Sequence, residues 1–251
     1  MAKGFHLAGW QKVSLNDFPG RPCSVLFCAG CPFRCPFCYN RDLVLPERIA
    51  LNREGIDWET VRRFIEKRRA TLGAVCVTGG EPLAAEAGIE LLRAVRALDV
   101  EVKLDTNGYY PERLSEVLSE ELVDCVAMDI KNCPARYAES CGMETMDLAR
   151  IAESIGLLLG SGVQTEFRTT VVRDFHREAD LIAIADWGLG AEPIVFSSYE
   201  ANPNVIRPGL SAYSREELRA IVGRIRGSGR LNVRLRGEFL ADDVIHEQTG
   251  E

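Results

Sequence analysis

Several absences narrow the field before any motif is read. No stretch of the 251 residues approaches the roughly 20 consecutive apolar residues that a membrane span requires, and Met1-Ala2-Lys3-Gly4-Phe5-His6 carries no apolar core of signal-peptide length. The expectation is a cytoplasmic chain without a membrane partner. Basic excess is missing as well: 30 Lys and Arg stand against 37 Asp and Glu, for a net charge of -7. This argues against a nucleic-acid-binding surface as the main function and leaves no nucleic-acid partner expected. The one basic run, Arg224, Arg226, Arg230, Arg234 and Arg236, reads as a solvated helix face followed by a polar strand. Linkers and low-complexity tracts are lacking, so nothing divides the chain, and 46% hydrophobic content over this length can bury one large core. The expected organisation is a leader over 1–22 packed on a core domain of 23–240, with a tail at 241–251. No cysteine follows Cys141, and Cys23, Cys76, Cys125, Cys133 and Cys141 lie too far apart to form a second cluster. Each reads as a small residue in or near the core.

The remaining four cysteines are crowded. Cys28, Cys31, Cys35 and Cys38 fall within 11 positions, and three of them stand as Cys31-x3-Cys35-x2-Cys38. Pro32 and Pro36 remove backbone donors and hold the residues before them extended, so the segment loops rather than forming a helix. In a reducing compartment such thiols are ligands rather than disulfides. A loop-borne set at this spacing suits an iron-sulfur centre. Inclusion of Cys28 would instead give four thiolates, fit for a structural zinc or a fully ligated electron-transfer cluster.

Short β-branched runs alternate with segments of helical period, the pattern of parallel βα units. Six strands are expected at Ser24–Cys28, Ala74–Thr78, Glu101–Asp105, Cys125–Ile130, Gln164–Val172 and Ile194–Ser198, with a possible seventh at Leu231–Leu235. Between them, stripes such as Val61/Phe64/Ile65, Ile151/Ile155/Leu158 and Leu218/Ile221/Val222/Ile225 repeat at helical spacing. Asp57 and the pair Ser214/Glu217 are expected helix caps. The fold class is therefore α/β, an incomplete (β/α)6 barrel in which right-handed crossovers place every helix outside; a flat doubly wound sheet is the alternative.

In either arrangement the loops after the strands gather at the carboxyl edge, where ligands bind. Polar residues collect there. The second strand ends in Gly79-Gly80-Glu81-Pro82, whose glycines allow close backbone approach and whose Glu81 can accept from an amine. Asp105-Thr106-Asn107-Gly108 ends the third strand and Met128-Asp129-Ile130-Lys131 the fourth; charges at the ends of apolar strands need partners or a ligand, and an Asp105–Lys131 ion pair is one way to satisfy them. Arg168, on one face of its strand with Glu166 and Thr170, suits a carboxylate ligand or a partner such as Glu166.

With those residues in view, the sequence resembles the radical S-adenosylmethionine (radical SAM) superfamily: Cys31-x3-Cys35-x2-Cys38 followed by Tyr39-Asn40, then Gly-Gly-Glu-Pro after the next strand. The leader Gly9-Trp10-Gln11-Lys12-Val13-Ser14-Leu15-Asn16-Asp17-Phe18-Pro19-Gly20 is similar to that of anaerobic ribonucleotide reductase activating proteins. Asp105–Gly108, Met128–Lys131 and Phe167–Val172 look like segments of glycyl-radical-enzyme activases, where Tyr39 stands in place of a histidine common at that position.

That resemblance implies a 4Fe-4S cluster on Cys31, Cys35 and Cys38, with one iron left open for S-adenosylmethionine. Reductive cleavage would yield methionine and a 5′-deoxyadenosyl radical that removes a hydrogen from a glycine of a partner enzyme, most directly anaerobic ribonucleotide reductase. No residue need serve as general acid or base. Gly79, Gly80 and Glu81 would contact the methionine amino group, Lys131 and Arg168 the carboxylate or ribose, and Tyr39 the adenine. Asp105, Thr106, Met128 and Asp129 would form a monovalent cation site. A low-potential electron donor such as a flavodoxin or ferredoxin is implied too. A small-molecule radical enzyme resembling 7-carboxy-7-deazaguanine synthase is the alternative.

Overall fold

The computed structural model describes residues 7–51, 55–187, 189 and 192–237; the expected tail at 241–251 lies outside them. Eight strands form one sheet in chain order: β1 Leu7–Ser14, β2 Cys23–Cys28, β3 Ala74–Gly79, β4 Glu101–Thr106, β5 Cys125–Asp129, β6 Gln164–Val171, β7 Ile194–Ser198 and β8 Val233–Leu235. From β2 to β8 every pairing is parallel, whereas β1 runs antiparallel to β2. No pairing joins β8 to β1 among the described residues, so the sheet is an open α/β barrel. The six expected strands are present. The seventh is shorter than expected, at Val233–Leu235, and part of the leader is a strand that the alternation of βα units could not reveal, because it precedes the first unit.

The parallel strands read as apolar runs because both faces are covered. Val25, Leu26, Val75, Val77, Val102, Leu104 and Val126 are all fully buried. Residues of one parity pack against the helices, and those of the other point into the barrel. On the inner face the register aligns Val25 with Cys76, Cys76 with Lys103, and Lys103 with Cys125. Below these, Phe18 from the β1–β2 connection closes the floor against Cys23, Val25, Ala74, Cys76 and Cys125. Three of the scattered cysteines are thus packing residues of the barrel floor.

The helices form where the stripes and caps place them. Helices α1 Arg41–Val44 and α2 Pro46–Ile49 are single turns, unexpected from periodicity because four residues cannot display it. Helix α3 spans Trp58–Leu72: the Asp57 carboxylate accepts from Thr60 N at 2.9 Å, Val61 and Ile65 are buried, and Gly73 ends it at φ +53°. Helices α4 Glu86–Arg96, α5 Pro111–Ser119, α6 Tyr137–Cys141, α7 Leu148–Ser161 and α8 Glu178–Ala185 follow. The last, α9 Arg215–Gly227, begins with the expected capping box, Glu217 N on Ser214 Oγ at 3.1 Å and Ser214 N on Glu217 Oε2 at 2.8 Å. The basic run is neutralised locally, since Arg224 pairs with Glu178, Arg230 with Asp186 and Arg236 with Glu166. No helix among the described residues is long and apolar enough to cross a membrane.

Candidate functional site

A cavity of about 540 Å³ opens at the carboxyl edge of the sheet, within the size range of small-ligand sites. Cys31, Cys35 and Cys38 all line it. They sit on the connection leaving β2, where Cys38 N bonds Cys35 O at 3.0 Å in a tight turn and Arg34 N bonds Cys141 O at 2.8 Å. Cys28, the last residue of β2, has the parity of Leu26 and joins the helix-side core with it. It lies outside the cavity wall. Among the described residues no three His, Cys, Asp or Glu side chains close on a single-ion position, as a zinc site would need.

The glycine turn is sutured to this loop. Gly80 N bonds Cys28 O at 2.8 Å, Glu81 N bonds Gly30 O at 2.7 Å, and Asn40 Nδ2 bonds Gly79 O at 2.8 Å. A β-carbon on Gly79, at φ +117°, would come within 2.5 Å of Cys28 O. The glycines therefore serve backbone-on-backbone packing as well as any ligand. Asn40, adjacent to the expected Tyr39, is a strut that sequence reading passed over.

Glu81 is 2% exposed, and its carboxylate accepts from Thr106 Oγ1 at 2.8 Å, Asn107 N at 2.7 Å and Leu83 N at 3.0 Å. Burial outweighs these bonds and pushes its pKa up to about 7. Among the described residues it has no cationic partner within ion-pair distance. A bound ammonium would supply one.

Across the cavity, charges run in one chain. Lys103 bonds Asp105; Arg168 reaches Asp105 at 3.3 Å and Asp129 at 3.0 Å; Lys131 Nζ lies 3.0 Å from Asp129. The expected Asp105–Lys131 pair is not formed. Parallel register explains this: Asp129 stands level with Arg168, and Lys131 lies two residues beyond it on the same face, whereas Asp105 stands level with Ala127 and two residues above Lys103. Burial opposes ionisation of Asp129, yet Arg168 and Lys131 hold its carboxyl well below the usual range; Lys131 is raised against its own desolvation by Asp129. Three cations face two carboxylates here, which leaves one positive charge for an anionic ligand. Of the residues expected at a cation site, Asp105 and Asp129 share the Arg168 guanidinium, Thr106 turns to Glu81, and Met128 packs against Gly108.

Tyr39 lines the cavity, stacked on Tyr199 at 5.7 Å and 15°. Its hydroxyl donates to Glu200 O at 3.0 Å and accepts from Glu200 N at 2.8 Å. Two further wall elements were not singled out from sequence: Asn16, Asp17 and Pro19 of the leader, and Arg236 after β8, whose guanidinium bonds Ser197 Oγ at 3.2 Å and Glu166 Oε1 at 2.6 Å. Both ends of the open sheet thus border the same cavity. Their signal is only tertiary, since neither segment carries a chemistry-bearing spacing. Cys133 and Cys141 part company: the Cys133 thiol donates to Asp180 at 3.5 Å, and Cys141 packs on the cysteine loop, its carbonyl accepting from Arg34 N.

The residues present fit a thiolate-held cluster. Three thiols share one wall, and burial, with Glu81 nearby, pushes the Cys31 thiol up to about 12, so a thiolate there needs the cationic charge that iron provides.

Residues 25–187 match the model of the radical SAM superfamily. A protein of Methanocaldococcus jannaschii with the provisional name glycyl-radical enzyme activating enzyme is 31% identical over 183 residues, covering 71% of this chain and 73% of its own length. The pyruvate formate-lyase 2-activating enzyme of Escherichia coli is 27% identical over 196 residues, covering 66% of each chain. Among solved structures, Streptococcus suis SuiB bound to its precursor peptide SuiA superposes with a TM-score of 0.67 at 15% identity, over 85% of this chain. This chain spans about half of SuiB, 48%, and that likeness is one of fold.

Proposed function

This chain belongs to the radical SAM superfamily, whose members use a 4Fe-4S cluster and S-adenosylmethionine, and on that premise we propose that it is an activating enzyme that generates a glycyl radical in a partner enzyme. Anaerobic ribonucleotide reductase is the partner favoured, and a flavodoxin or ferredoxin the class of electron donor. When bound, the cluster supplies an electron that cleaves S-adenosylmethionine to methionine and a 5′-deoxyadenosyl radical, the species that takes a hydrogen from glycine Cα.

The chain's own residues have the complementary chemistry. Cys31, Cys35 and Cys38 would hold three irons. Glu81, flanked by Gly79 and Gly80, would accept the methionine ammonium, and the surplus positive charge of Lys131 and Arg168 would take its carboxylate. Tyr39 would offer a ring face to the adenine. The observation that carries the reading is this complementarity: a buried carboxylate without a cation and a cation-rich cluster border one cavity with the three thiols.

Glycine activation is favoured over small-molecule chemistry by the activase names of the two relatives and by the leader. The segment similar to that of activating proteins supplies Asn16, Asp17 and Pro19 to the cavity wall, around Phe18 of the barrel floor. The test mixes the reconstituted, reduced protein and S-adenosylmethionine with anaerobic ribonucleotide reductase from the same organism, under anaerobic conditions. A glycyl radical doublet in electron paramagnetic resonance is expected. Cofactor cleavage without a doublet would move the assignment to another glycyl radical enzyme or to a 7-carboxy-7-deazaguanine synthase-like reaction; a colourless protein holding zinc would end the enzyme reading altogether.

A further inference from the structure

Two buried residues outside the roles above border the cysteine loop, and one of them points a hydrogen-bond donor at a sulfur. Asn107 is 5% exposed, and its side chain has little freedom: Oδ1 accepts from Tyr109 N at 2.9 Å, which leaves Nδ2 to face Cys31 Sγ at 3.7 Å. Its backbone N–H at the same time holds Glu81 Oε2 at 2.7 Å. On the far side of the loop, Cys141 is fully buried at the end of α6. That helix is pressed onto the loop, since Arg34 N bonds Cys141 O at 2.8 Å and a β-carbon on Gly142 would meet Arg34 O at 2.2 Å. The buried Cys141 is thereby packed beside the loop at Arg34, next to Cys35.

A sulfur ligand becomes more electron-rich when an iron-sulfur cluster is reduced, so a donor aimed at it stabilises the reduced form more than the oxidised form. The effect is large where water is excluded. We propose that Asn107 and Cys141 are positioning residues that raise the reduction potential of the bound cluster by hydrogen-bonding two of its three sulfur ligands, Cys31 and Cys35. Cys141 acts here as a donor and not as a ligand. Asn107 has a second consequence, because the residue that bonds a cluster sulfur also fixes the carboxylate assigned to the cosubstrate ammonium. The inference rests on the reading of Cys31, Cys35 and Cys38 as the cluster ligands.

The test compares reconstituted parent, Asn107→Ala, Cys141→Ala and Cys141→Ser by iron content, absorbance and anaerobic redox titration. Each alanine variant should retain about four irons and shift the reduction equilibrium about tenfold towards the oxidised form, a potential about 59 mV more negative for one electron. Cys141→Ser keeps a donor of similar size and should lie near the parent. A purely structural role would lower thermal stability without moving the potential. Alanine variants within twofold of the parent would overturn the inference, as would a serine variant that behaves like alanine. Loss of iron in Cys141→Ala would make Cys141 a ligand and overturn it as well. Should Asn107→Ala not fold, the two Cys141 variants decide alone. A parent protein that takes up no cluster refutes the assignment of the cysteine loop itself, which the iron content shows separately from the potentials.

Discussion

Gly80 lies so close to Gly30 that a β-carbon on it would come within 2.2 Å of the Gly30 carbonyl oxygen. The glycine turn after β3 and the cysteine loop after β2 are therefore one packed unit, joined by the Glu81 N to Gly30 O bond of 2.7 Å. Gly80→Ala cannot be absorbed by a side-chain movement, because the obstructing atom is backbone. The expected result is a loss of about 1–3 kcal/mol in stability, with diminished iron uptake on reconstitution. Thermal melting and iron analysis check it, and parent-like values in both would show that the two loops yield independently.

Glu81 makes a signed pH prediction. Its carboxyl keeps a proton up to about pH 7 in the folded protein, against an ordinary value near 4.5. Between those values the native state binds the extra proton, so its contribution to stability is fully present below about pH 4.5 and is lost as pH rises towards 7. The expected slope is at most about 1.4 kcal/mol per pH unit for one proton. Denaturant titrations of the apoprotein at several pH values measure it, and Glu81→Gln should remove this component. Binding of S-adenosylmethionine should show the opposite trend, weakening below about pH 7 as the ammonium acceptor protonates.

Asp129 is held between Arg168 at 3.0 Å and Lys131 at 3.0 Å. Asp129→Ala would leave Lys131 without its carboxylate beside Arg168, which keeps Asp105. Because 34% of the Asp129 side chain and 20% of that of Lys131 face the cavity, the cost is reduced from that of a dry ion pair. A destabilisation of roughly 2 kcal/mol is expected, falling with added salt. A salt-independent loss of the same size would point to packing instead.

The four crowded cysteines should separate cleanly. Alanine at Cys31, Cys35 or Cys38 should abolish four-iron reconstitution and cofactor cleavage. Cys28→Ala, whose site lies in the helix-side core with Leu26, should retain both and lose only about 1 kcal/mol of stability for the missing sulfur. Equal loss of iron at Cys28 would place a fourth thiolate on the cluster.

Most of the frame was legible in the chain itself. Apolar strand runs, helical stripes and the caps at Asp57 and Ser214 are local signals, and each strand end carried its polar residues in view. Periodicity could not reveal β1, which precedes the repeating units, nor the four-residue helices, which are shorter than the repeat being sought. In the site, the cysteine spacing and Gly79-Gly80-Glu81 identified the loops, while Asn40, Asn107 and Arg236, although in view, received no role in the site because their partners are distant in sequence: Gly79, Cys31 and Glu166.

By itself, then, the sequence determined an α/β chain with three thiols after one strand and a carboxylate after the next, since composition, spacing and period act within a few residues. Tertiary structure decided which charges meet. Strand register set Arg168 level with Asp129, left Asp105 to Lys103 rather than Lys131, and turned Cys28 outward while Cys31 faces the cavity. Such choices depend on the alignment of strand residues that are 22 to 51 positions apart in the chain, as in Lys103 with Cys125 and Cys23 with Ala74, a distance over which no local pattern carries the register.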